Sequence, residues 1–98
     1  MLIEYLQQAI QAGADALEIE YRDSQEWLTA FKGPFGVGLG SLPSGEAEPL
    51  FEEMDALKKN RRIVVQGRTY RLRFTKYESF AEWIHRIELL PETGKAKR

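Results

Sequence analysis

The sequence predicts an α+β domain in which two helices pack on one face of a mainly antiparallel sheet. The predicted order is α-β-β-α-β-β followed by one further element, strand or helix. Three observations predict it. Apolar residues recur at helical spacing twice, at Ile3, Leu6 and Ile10 and again at Leu50, Phe51, Met54 and Leu57. Elsewhere the period drops to two, in ALEIEYR (16–22) and RTYRLRFTKY (68–77). Turn residues separate these segments, so each helix stripe and each one-sided strand must bury its apolar side against another element.

The first helix runs over 2–12. Gly13 follows it, where a left-handed C-terminal cap costs glycine nothing. In 16–22, Leu17, Ile19 and Tyr21 face one way and Glu18, Glu20 and Arg22 the other, the pattern of a half-buried strand. DSQE (23–26) is turn chemistry, and WLTAFK (27–32) returns as the second strand of a hairpin. A second helix spans 49–60, with Pro49 suited to its first turn and Asn60 to its end. RRIVVQG (61–67) reads as a short apolar strand. In the next segment Tyr70, Leu72 and Phe74 oppose Arg71, Arg73 and Thr75. The predicted core is Ile3, Leu6, Ile10, Leu17, Ile19, Leu28, Phe51, Met54, Leu57, Val64, Tyr70, Leu72 and Phe74.

The last element has two readings. Phe80, Trp83, Ile84, Ile87 and Leu90 fall at helical spacing, with Ser79 and Glu82 placed as a capping box. Trp83, His85, Ile87 and Leu89 alternate as a strand. The domain is expected to cover 1–90, with 91–98 a disordered polar tail.

Between the hairpin and the second helix lies GPFGVGLGS (33–41), with four glycines. A dinucleotide loop needs G-x-G-x-x-G between strand and helix, and a phosphate-cradling P-loop needs a lysine and a hydroxyl after its last glycine. Neither spacing is present. The stretch reads as a flexible connection whose Val37 and Leu39 touch the core and whose Phe35 and Leu42 are exposed for contact with a partner.

Composition narrows the function. The chain has no cysteine, which removes disulfides and thiol chemistry and fits a reducing cytoplasm. His85 is its one histidine, so a transition-metal site or a Ser-His-Asp set lacks its parts. No cofactor motif stands, and the expectation is a non-enzymatic domain. The acidic GEAE and FEEMD lie at a helix start, where carboxylates favour the positive end of the dipole. No apolar run reaches membrane length, so no membrane role is expected. LPETG (90–94) matches the motif that sortases cleave, but the apolar segment that anchoring requires is missing.

The cations are lopsided: 12 of the 14 Lys and Arg residues follow position 57. Arg68, Arg71, Arg73 and Lys76 are therefore the candidate interaction residues, together with Phe35 and Leu42. The favoured function is protein–protein contact or self-association. The alternative is a nucleic acid or an acidic partner held by a basic sheet face. Tyr70 and Phe74 point away from Arg71 and Arg73, so a base-stacking platform is not predicted. Glu18 and Glu20 are expected on the same open face as those arginines, paired with them.

AIQAGADALEIE (9–20) resembles the N-terminal domain of type II secretion and type IV pilus ATPases, through Gly13, Ala14, Leu17, Ile19 and Glu20. The resemblance extends in element order over residues 3–90. Ala16 and Glu18 depart from it, and the family's catalytic domain is absent from this chain. It implies a bacterial, PAS-like domain that makes protein contacts without hydrolysing ATP, and it favours a strand at 82–90.

Overall fold

A computed structural model describes residues 1–43 and 45–92. The elements are α1 (Leu2–Gln11), β1 (Ala16–Arg22), β2 (Gln25–Lys32), β3 (Phe35–Ser41), α2 (Ala47–Asn60), β4 (Arg62–Val65), β5 (Arg68–Ser79) and β6 (Glu82–Pro91). The strands form one antiparallel sheet in the order β3-β2-β1-β6-β5-β4. The two three-strand meanders meet at its centre, where β1 lies beside β6 with Leu17 opposite Ile87.

One core cluster joins Leu2, Leu6 and Ala9 of α1, Leu50 and Met54 of α2, and strand residues that share one side of the pleat, among them Leu17, Ile19, Leu28, Leu72, Ile87 and Leu89. The helices are tied to each other at the chain start. Glu53 of α2 accepts the backbone N–H of Leu2 at 2.8 Å and the terminal ammonium of Met1 at 3.2 Å. That carboxylate satisfies orphan donors of the first turn of α1, which has no side-chain cap of its own.

Three tight hairpins turn through pairs of residues with positive φ: Asp23–Ser24, Gln66–Gly67 and Phe80–Ala81. Their φ values match the two-residue turn whose twist suits flanking strands. The β2–β3 turn uses Gly33 at φ 57 followed by Pro34.

Several expectations are corrected. The glycine-rich segment is the edge strand β3, not a connection, and Val37 is 62% exposed. Leu39 alone of the two predicted contacts packs against the core. Glycine hid the strand because it lacks the β-branched signal by which strands are read. Leu42 is buried in the core, so it offers no contact surface. Val64 is 63% exposed while Ile63 and Val65 are buried, because the pleat of β4 is offset by one residue from the reading. Ser79 and Glu82 do not cap a helix; they close a hairpin as cross-strand partners. Pro91 belongs to β6, and Glu92 donates its backbone N–H to the Thr69 carbonyl, so order continues two residues past 90. The rest of the predicted tail, including Thr93 and Gly94, lies outside the described residues.

Candidate functional site

The β5–β6 hairpin is the longest in the sheet, and among the described residues its end has no third strand beside it. β4 accompanies β5 only as far as Arg71, and β1 accompanies β6 only from Ile84 onward. The turn is Phe80 at φ 52 and Ala81 at φ 67, with Ser79 paired to Glu82 across it. Left-handed conformation suits glycine or asparagine and costs other residues about 1–2 kcal/mol each. Phe80 is also 98% exposed, Trp83 is 52% exposed and Tyr77 41%. The tip therefore combines backbone strain with three solvent-facing aromatic rings.

The two flanking rings are held in place. Tyr77 shares the side of the pleat that carries Thr75 and Arg73, and its hydroxyl donates to Glu18, 3.0 Å from both carboxylate oxygens. Burial first, then the hydrogen bond to Glu18 and its charge, push the Tyr77 phenol pKa up. Trp83 lies on the other side, beneath the Lys76 ammonium at 4.8 Å from the ring centre. Among the described residues Phe80 has no such partner.

Glu18 is the centre of a polar network on the Tyr77 side. Arg86 donates to it at 2.6 Å, and Arg86 also reaches Glu88 at 3.5 Å. Glu88 in turn pairs with Arg73. Burial works against the charge of Arg86, but the bonds from Glu18 and Glu88 outweigh it and raise its pKa. The aromatic rings of β2 border this network, with Arg86 over Phe31 at 5.7 Å and Arg22 over Trp27 at 5.2 Å.

The predicted contact residues are dispersed. Arg71 and Arg73 lie on the Glu18 side, as expected, but Arg73 pairs with Glu88 and Glu18 pairs with Arg86. Arg68 and Lys76 stand on the opposite side of the same pleat, so these four cations do not make one basic face. Phe35 is 74% exposed on the edge strand β3. His85 contacts Phe51 of α2, ring centres 4.9 Å apart, and burial followed by repulsion from Lys76 and Lys58 lowers its pKa. Among the described residues, no three His, Asp or Glu side chains gather to hold a metal, and no helix is long and apolar enough to cross a membrane.

Phe80 and Trp83 were missed as site residues because they fit an apolar helical stripe. The signal against that stripe was the alternation of Trp83, His85, Ile87 and Leu89. No protein-family model matches the chain, and no curated protein matches it.

Proposed function

We propose that this domain is a non-enzymatic module that binds a protein partner through the aromatic tip of the β5–β6 hairpin. The observation that carries the reading is Phe80, which combines near-complete exposure with a left-handed backbone. An exposed apolar ring and a strained turn are two costs that nothing among the described residues offsets. Burial in an apolar pocket of a partner repays the first and leaves a reason to keep the second. Tyr77 and Trp83 on either side supply rigid area of the kind that dominates protein interfaces. The Tyr77 hydrogen bond to Glu18 and the Lys76 ammonium over the Trp83 ring reduce the rotamer freedom lost on binding.

The resemblance to the N-terminal domains of secretion and pilus ATPases agrees with this reading, since it implies a PAS-like domain that makes protein contacts.

The test exploits the opposition between turn preference and contact. Phe80→Asn suits a left-handed turn position, so it raises stability while deleting the ring. Co-purification from the native cell is expected to recover a partner with the wild type and lose it with Phe80→Asn. Sedimentation of the pure protein shows whether that partner is a second copy. Equal recovery by Phe80→Asn, or Phe80-dependent binding to neutral lipid vesicles in place of a protein, would overturn the proposal.

A further inference from the structure

Toward the other end of β5, where the end of α2 meets the start of β4, a cavity of about 420 Å³ is lined by Asn60, Arg61, Arg62, Arg71, Leu72, Arg73 and Leu90. Four of these residues are arginines. Arg62 and Arg71 are direct cross-strand partners, an arrangement that repels in an antiparallel pair. Arg73 stands two residues along the same face from Arg71. Two carboxylates answer these charges: Glu92 bonds Arg62 at 2.8 Å, and Glu88 pairs with Arg73. Arg61 points its Nε–H at the Lys58 carbonyl, 3.1 Å away. Among the described residues neither Arg61 nor Arg71 has a carboxylate within ion-pair distance. Among the described residues, four cations against two anions leave the cavity lining two positive charges in excess.

From this arrangement we infer that the cavity binds a small phosphate monoester. A monoester carries close to two negative charges at neutral pH, which matches the excess, and its three oxygens accept from guanidinium forks bidentately. A carboxylate or a phosphodiester brings one charge and leaves an arginine unanswered. The volume suits a small molecule, and Leu90 beside Arg71 offers an apolar wall for its carbon part. Bound there, the dianion also relieves the Arg62–Arg71 repulsion. The site is separate from the hairpin tip and does not depend on it.

The experiment is a titration of the ¹⁵N-labelled full chain, followed by amide shifts, with O-phosphoserine, serine, dimethyl phosphate and a short single-stranded oligonucleotide. O-phosphoserine is expected to move the signals of Arg62, Arg71 and Leu90 saturably at millimolar concentration, and serine to leave them in place. Dimethyl phosphate should bind about tenfold more weakly, the worth of one charge-assisted hydrogen bond. Arg71→Gln should abolish the response, and Arg71→Lys, which keeps the charge without the fork, should restore part of it. No saturable shift with O-phosphoserine, an unchanged response in Arg71→Gln, or binding of dimethyl phosphate or the oligonucleotide as tight as that of the monoester would overturn the inference.

Discussion

Phe31 of β2 lies across the backbone of Gly36, its cross-strand neighbour on β3: a Cβ added at Gly36 would sit 2.8 Å from the Phe31 ring and 3.1 Å from the Thr29 methyl. The ring covers a glycine that would otherwise leave the edge strand thin, and it does so beside the Arg86 guanidinium. This contact separates the glycines of β3 by role. Gly36 is needed for close approach, Gly40 for its φ of 112, and Gly38 for neither.

Gly36→Ala is therefore expected to push the Phe31 ring aside and destabilise the protein by about 1 kcal/mol, within the range for overpacking. Gly38→Ala meets open space and should be neutral or slightly stabilising, since it removes freedom from the unfolded chain. Urea denaturation of the two variants checks the contrast; equal effects would show that the ring does not rest on Gly36.

Replacing the Phe80–Ala81 turn by Asn–Gly should raise stability by about 1 kcal/mol or more, because both positions adopt left-handed φ. The melting temperature of the double variant reads this out. A fall in stability would mean that the Phe80 ring contributes to the fold of the isolated chain.

Leu72 is 1% exposed in the centre of the core, and Leu72→Ala should cost about 2–5 kcal/mol. Val64→Ala, on the exposed side of β4, should stay within about 0.5 kcal/mol of the wild type. Reversal of that ranking in chemical denaturation would place the wrong face of β4 inside.

Glu18→Ala removes the acceptor of both Arg86 and Tyr77 and leaves a three-quarters-buried guanidinium with Glu88 alone. A loss of about 1–3 kcal/mol is expected, the usual consequence of stranding a charged partner. A double-mutant cycle with Arg86→Met isolates the pair; a coupling of zero would contradict the network.

The depressed pKa of His85 sets a pH dependence. Near its ordinary value of 6.5 the unfolded chain binds the proton more readily than the folded one. Stability is then highest above that pH and falls as pH drops through the folded-state value. Between about pH 7.5 and 5.5 the denaturation midpoint of wild type should decline more than that of His85→Gln. Parallel profiles would assign the decline to other groups.

Legibility divided by the range of the interactions. The two helices, the β1–β2 hairpin and the alternation of β5 were readable because a local period reports which side of each element is apolar. β3 was not, because its glycines carry no such period, and its strand character comes from pairing with β2. The β5–β6 turn was hidden for a similar reason: Phe80–Ala81 contains none of the residues that announce a tight turn, so the segment read equally as a helix or a strand. In the candidate sites, Arg71 and Arg73 were correctly placed on one face. Arg73's partner, by contrast, is chosen by the cross-strand register with Glu88.

By itself, then, the sequence determined the α+β class, most of the element order and the principal apolar stripes, since these follow from composition and periodicity along the chain. Only the tertiary structure decided that β6 is a strand between β1 and β5, that Glu18 meets Arg86 and Tyr77, and that Arg62 faces Arg71. The β1–β6 pairing and the Glu18 contacts join residues far apart in sequence, and the Arg62–Arg71 pair is set by the register of the β4–β5 hairpin. They are set by which strand edges satisfy each other's backbone hydrogen bonds while all the apolar faces close on one core, a condition that no single segment carries.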